Sequence, residues 1–302
     1  MFVLFILSVV LSHQTTSAYE FKSRPGVPTK THSCHDIRSV PRIIARTLDL
    51  DMTFYSKYTE AYNIPIISSS RVSNTALTRA CYVVRVLLAD RPDVRKQLYK
   101  QGGRVGVIGV NEQTTDIPEH SYLPDWWNQR ARGLGGMVGT PISTVGEENL
   151  LCLKNDWYPT QDIMVHEFAH GVHMLGAHFA DTTFQAQLDE LYNEYRRSQE
   201  KWHHTYSMSS NRELFGEGTQ SYFNVNSYSA LPDGISGPIN TRNKLEEYDP
   251  RLFKLIQGVF PCGNLIYNKC NTTRQWERDQ ILKMDCELPP EYNIDPTPEI
   301  VN

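Results

Sequence analysis

Basic runs are missing from this 302-residue chain, and so is any strong excess of one charge. Its 30 Lys and Arg stand against 34 Asp and Glu, a formal net charge of −4 with an isoelectric point near 6.2. Without a positive field there is no bulk attraction to nucleic acid or to an anionic membrane, and neither is expected as a partner. Internal repeats and low-complexity blocks are absent too. A hydrophobic share of 40 % suffices for a sizeable core, so the length fits one large globular domain or two modest ones. The apolar run from Met1 to Leu11, broken only by Ser8, is eleven residues long, where crossing a bilayer takes about 20.

That run belongs to MFVLFILSVVLSHQTTSA, which has no Lys or Arg ahead of its apolar stretch and closes on the small residues Thr16, Ser17 and Ala18. The closing spacing is one a signal peptidase accepts. Residues 1–18 are read as a signal peptide, Tyr19 as the first mature residue, and the mature protein as secreted, extracellular and free of the membrane. Six cysteines remain, Cys34, Cys81, Cys152, Cys262, Cys270 and Cys286, and an even number in an oxidising compartment predicts three disulfides. The short span from Cys262 to Cys270, which starts with Gly263, suits a local bridge. A disulfide at Cys34 is favoured over a thiol that would join His32 and His35 on a metal. Asn271-Thr272-Thr273 is an N-glycosylation acceptor and marks a glycoprotein.

Apolar periodicity divides the rest. From Tyr19 to about Ile67 no period is sustained, and loops with short elements are expected. Leu77, Ala80, Cys81, Val84, Leu87 and Leu88 fall on one helical stripe behind the capping residues Ser73 and Asn74, and Arg91-Pro92 ends that helix. A short helix over about Asp93 to Gln101 stops at Gly102-Gly103, and Arg104 to Val110 alternates as a strand does. The glycine-rich stretch from Arg130 to Cys152 fits either a flat edge where another backbone comes close or ordinary turns between short strands. Helices follow after Pro159, from Asp181 and between Ser209 and Asn224. The last of these holds Gly216 and Gly218 at about 1 kcal/mol each in propensity, which close helix packing would offset. Asp249-Pro250, an N-cap and first-turn proline, opens a final core helix through Val259.

The helix after Pro159 carries His166-Glu167-Phe168-Ala169-His170, the HExxH pattern, in an otherwise apolar setting. Residues four apart lie one turn above each other, so both imidazoles can reach one metal, with Glu167 beside it to take a proton from water. Zinc is the metal that two imidazoles and a carboxylate suit by default. A catalytic zinc needs a third protein ligand and an open position. His173 lies about 10.5 Å further along a continuous helix, too far to share one ion with His166. The histidine-glycine order of HExxHxxGxxH fails at His173 and Gly176, and His178 remains a weaker alternative. Glu213 and Glu217, again four apart, offer one carboxylate for the metal and one for the free N–H of a ligand histidine. Ser210 and Glu213 also match a capping box, so a helix-start role for Glu213 stays open beside the ligand role.

An HExxH helix followed by Tyr206, then Glu213, then Glu217 resembles the gluzincin-type zincin metallopeptidases, among them the catalytic domain of anthrax lethal factor and the secreted Pro-Pro endopeptidases. The resemblance spans about residues 160 to 224, while the six cysteines and the long N-terminal region depart from it. It implies an α+β, zincin-like fold with an active-site helix and a small mixed sheet, here disulfide-stabilised. An N-terminal region over residues 19–100 would pack on a metallopeptidase domain over 101–302 that ends in a Cys-containing segment. On the same resemblance one Zn2+ per chain is held by His166, His170 and Glu213, Glu167 is the catalytic base, Tyr206 the catalytic tyrosine, and Glu217 supports a ligand histidine. The implied activity is that of a hydrolase, a zinc metalloprotease cleaving a peptide or protein substrate. The alternative from another class is a secreted zinc-binding or interaction protein on the same scaffold without turnover, against which the retained Glu167 argues, since a structural site has no use for a base.

Overall fold

The computed structural model describes residues 33–89 and 91–262. The expected signal peptide over 1–18, Cys270, Cys286 and the acceptor Asn271 lie outside these residues. In chain order the first elements are β1 (Arg38–Ser39), α1 (Arg42–Leu48), β2 (Lys57–Ala61), β3 (Ile64–Ser68), α2 (Asn74–Leu87), α3 (Pro92–Lys100) and β4 (Arg104–Ile108). Next come β5 (Gly133–Leu134), β6 (Ile142–Gly146), α4 (Glu147–Leu151), α5 (Ile163–Gly171) and α6 (His178–Ala180). The last are α7 (Phe184–Ser198), α8 (Asn211–Tyr222), α9 (Arg242–Tyr248) and α10 (Pro250–Val259).

Six strands form one mixed sheet in the order β1-β2-β3-β4-β6-β5. β3, β4 and β6 run parallel, and β1, β2 and β5 pair antiparallel at the two ends. The fold is thus α+β. Three strands come from before residue 100 and three from after it, so the N-terminal hundred residues contribute half of the sheet's strands.

The segment up to about Ile67, expected to hold loops with short elements, contains α1 and the β2–β3 hairpin, whose strands are five residues each. Its two-residue turn is Tyr62-Asn63, both at positive φ (52° and 63°), as a type I′ turn requires. The Asn-Gly or Asp-Gly pair that normally announces such a turn is absent. Pro65 also masks the strand; it pairs with Glu60 on β2 while β4 joins only from Ile66 onward, so its missing N–H costs the ladder nothing.

Elsewhere the periodicity reads true. Ser73 caps α2, its Oγ accepting from the Ala76 N–H at 3.3 Å, and α2 buries Leu77, Ala80, Val84 and Leu87. Asp249 caps α10 by accepting from the Leu252 N–H at 3.0 Å. One face of the sheet carries the main core, filled from α2, α5, α7, α8 and α10; the other is covered by a smaller cluster of Val40, Leu48, Tyr55, Tyr58, Ile108 and Ile142 among others. Cys34 and Cys81 are joined, tying the chain ahead of β1 to α2. Cys152 and Cys262 each take part in a disulfide too, and Cys34–Cys81 is the bridge with both ends among the described residues.

Candidate metal centre

The centre is made where α5 and α8 cross. α5 starts at Asp162, whose carboxylate accepts from the Val165 N–H at 3.2 Å and fixes the first turn. His166 and His170 then lie one turn apart, both buried, with ring centroids 4.7 Å apart. After Gly171 the helix continues as a π-helical stretch, Val172–Ala177, into α6.

α8 can approach because Gly216 faces both imidazoles. A Cβ at that position would stand 3.0 Å from the Cε1 atoms of His166 and His170. Gly135, just past β5, is closer still on the other side, where a Cβ would come within 2.4 Å of the His170 Cβ. The glycines in both segments thus mark close approaches, one of helix to helix and one of a sheet edge to the HExxH helix.

Three atoms converge. His166 Nε2 lies 3.0 Å from His170 Nε2 and 2.9 Å from Glu213 Oε2, and His170 Nε2 lies 3.4 Å from that same oxygen. A tetrahedral centre with bonds of about 2.0–2.1 Å sets its ligand atoms roughly 3.3–3.4 Å apart, so the triangle has nearly the dimensions of one face of such a site. Among the described residues this is the group of metal-ligating side chains that meets at one point. Ser210 does cap α8, accepting from the Glu213 N–H at 3.2 Å. The Glu213 carboxylate itself turns to the imidazoles, so the cap and the cluster use different parts of that residue.

The neighbours settle how His166 presents its nitrogens. Gln220, wholly buried on α8, has its Oε1 2.9 Å from His166 Nδ1, and its Nε2 donates to the Asp162 carbonyl at 3.1 Å. Glu217 is next to the same nitrogen but at 3.6 Å, and Asn226 Nδ2 holds its other oxygen at 3.1 Å. His170 Nδ1 has no hydrogen-bond partner among the described residues.

Electrostatics make the point attractive to positive charge. Burial works to lower the pKa of His166, but the hydrogen bond to Glu213 and the charges of Glu167, Glu213 and Glu217 outweigh it and raise it to about 10. Burial works to raise Glu213, yet its hydrogen bonds to His166 and His170 hold it well below the carboxylate range. Glu167 and Glu217 are raised, chiefly by burial. A divalent cation fits this surplus of negative charge, and the donor set of two imidazoles and a carboxylate is one that zinc takes.

Glu167 is half-buried, with its Cγ 3.1 Å from where a Cβ on Gly133 of β5 would lie. Tyr206 opens a single 3-10 turn, its N–H donating to the Ile235 carbonyl at 2.9 Å. Its phenol is raised by burial and by the charge of Glu213, with Arg130 opposing and Glu167 adding to the rise. It is therefore a neutral hydrogen-bond donor at any ordinary pH.

His173 and His178 stand apart from the cluster. His173 is buried between Phe184 and Phe215, with Nε2 2.8 Å from Gln185 Oε1, and burial lowers it to about 4. His178 is exposed. Gln220 and Arg130 were not anticipated. Gln220 had a signal, since Glu213, Glu217 and Gln220 fall at i, i+4 and i+7 on one helix face. Arg130 had none, being brought to Tyr206 only by the turn that leads into β5.

No protein-family model matches the chain, and no curated protein matches it. Among solved structures the chain is similar to the Pro-Pro endopeptidase from Paenibacillus alvei, at 16 % identity over 61 % of this chain and 91 % of that one, with a TM-score of 0.38. This likeness is too distant to assign a family.

Proposed function

We propose that the chain is a secreted zinc-dependent endopeptidase, in which His166, His170 and Glu213 hold one zinc ion, Glu167 carries the proton and Tyr206 supports the oxyanion. The observation that carries the reading is the convergence of those three ligand atoms within 3.4 Å of one another beside a half-buried glutamate. Bound there, zinc would supply Lewis acidity, lowering the pKa of water and polarising a carbonyl.

The chain's own residues do the rest. Burial raises Glu167 toward the range in which a carboxylate can both accept a proton from water and return it to a leaving amine. Tyr206 stays protonated and can donate to the oxygen on which negative charge develops. β5 ends the sheet, with β6 on one side and no strand of the described residues on the other, so this edge can take an extended peptide as an added strand. Gly135 sets that edge directly against His170. The peptide or protein substrate would thus be aligned by backbone pairing next to the reacting groups. The disulfide at Cys34–Cys81 supports an oxidising, extracellular location, and no helix of the described residues is long and apolar enough to cross a membrane.

Metal analysis with cleavage profiling of an unbiased peptide pool tests the reading. It predicts about one zinc per chain, cleavage by the wild type, and a Glu167→Gln variant that keeps zinc but is slower by about 10² or more. Zinc at that ratio with no cleavage by the wild type would instead favour the non-catalytic binding protein.

A further inference from the structure

We infer that Gln220, and not Glu217, is the residue that fixes the ring of His166 for metal binding, so that a neutral amide stands behind this ligand instead of a carboxylate. The inference rests on the zinc site proposed above. A ligand imidazole must offer one bare nitrogen to the metal and commits the other to a hydrogen bond, whose partner sets the tautomer and the ring angle.

Two groups compete for His166 Nδ1. Gln220 Oε1 is at 2.9 Å and Glu217 Oε1 at 3.6 Å, beyond hydrogen-bonding range. Glu217 is held in its place by Asn226, whose Nδ2 donates to the Glu217 carboxylate and to the Glu217 carbonyl, both at 3.1 Å. The orientation of the Gln220 amide follows from its other contact. Its Nε2 donates to the Asp162 carbonyl at 3.1 Å; the reverse orientation would set two carbonyl oxygens against each other at that distance. Oε1 therefore faces His166, and Oε1 only accepts, so Nδ1 carries the proton and Nε2 is left to bind the metal.

The relay reaches further. Asp162 caps α5, and its carboxylate lies 3.7 Å from Arg79 on α2. Gln220 thus joins the metal centre to the start of the metal helix and, through Asp162, to a helix from the first hundred residues. An amide makes the imidazole a weaker donor than a carboxylate would, which leaves the bound ion more electrophilic and less tightly held.

The test uses the full-length secreted protein, with zinc affinity measured by chelator competition and the His166 Nδ1–H followed by NMR of 15N-histidine-labelled protein. Gln220→Leu is expected to weaken zinc binding by about 10- to 100-fold and to lose the exchange-protected Nδ1–H signal. Glu217→Gln is expected to keep that signal. Unchanged affinity in Gln220→Leu, or a signal kept there and lost in Glu217→Gln, would overturn the inference. Should Gln220→Leu fail to fold, Gln220→Met decides: it keeps the length of the side chain but offers Nδ1 no oxygen acceptor, so the signal should be lost and zinc binding should weaken by about tenfold or more, whereas a signal and an affinity like those of the wild type would count against the inference. A wild type that binds no zinc would refute the metal reading instead, and the Nδ1–H comparison, which can be made on metal-free protein, would still judge Gln220.

Discussion

At the scale of single residues, the site is governed by competition for one nitrogen. In the absence of metal, the carboxylates around His166 raise it to about 10 against the effect of burial. Below that pH the ring holds a second proton, which zinc must displace. Raising the pH therefore favours the metal, and apparent zinc affinity should climb about tenfold per pH unit through the neutral range. Chelator competition at two pH values one unit apart checks this, and a flat response would mean that no proton leaves His166. Tyr206 makes a separate prediction. Tyr206→Phe should retain full zinc content while slowing peptide cleavage by about 10² to 10³; loss of zinc in that variant would assign the phenol a structural role. His166, Glu167 and His170 were legible in the sequence because their relation is local, one helical turn. Glu213 was legible as a candidate from its spacing to Glu217 and from the need for a third ligand, but the cap stayed open beside it, since only the crossing of two helices shows that its carboxylate leaves the cap and meets the imidazoles. Gln220 shared a helix face with Glu213 and Glu217, but an uncharged amide at that spacing is as ordinary on a helix as it is at a metal centre.

At the scale of elements, the crossing of α5 and α8 depends on a missing side chain. In Gly216→Ala the new Cβ would press on the Cε1 atoms of both imidazoles at 3.0 Å. Those rings cannot yield without moving their nitrogens. The variant should bind zinc more weakly and lose about 1–3 kcal/mol of stability to overpacking, less the roughly 1 kcal/mol that alanine gains in helix propensity. Gly218→Ala is the control, because its Cβ would meet the ends of the Ile256 and Leu252 side chains, the nearest at 2.8 Å, away from the metal. It should alter the unfolding midpoint and leave zinc affinity alone. Equal zinc loss in both variants would contradict the account. Helices with caps and a clear apolar stripe, α2 and α10 above all, were legible for physical reasons that act within a few residues. The β2–β3 hairpin was not, because Tyr62 and Asn63 adopt positive φ without the glycine that advertises it.

At the scale of the whole molecule, the chain before residue 100 is built into the sheet that supports the centre. The bridge between Cys34 and Cys81 closes a span of 47 residues, for which loop entropy alone gives about 4 kcal/mol as an upper figure. Replacing both cysteines by serine should lower stability by roughly 2–4 kcal/mol, read as a fall in unfolding midpoint, with the zinc ligands still in place. Composition could announce disulfides but not this pairing, which depends on how α2 packs behind β2. Zinc binding and peptide hydrolysis both rest on one geometric statement, that His166, His170 and Glu213 close around a single ion. Diffraction from crystals of the zinc-loaded protein, recorded at the zinc absorption edge, tests it most directly. One anomalous peak per chain is expected, about 2.0–2.2 Å from His166 Nε2, His170 Nε2 and a Glu213 carboxylate oxygen; a peak elsewhere, or Glu213 turned away from an ion bound by the two histidines, would refute the assignment.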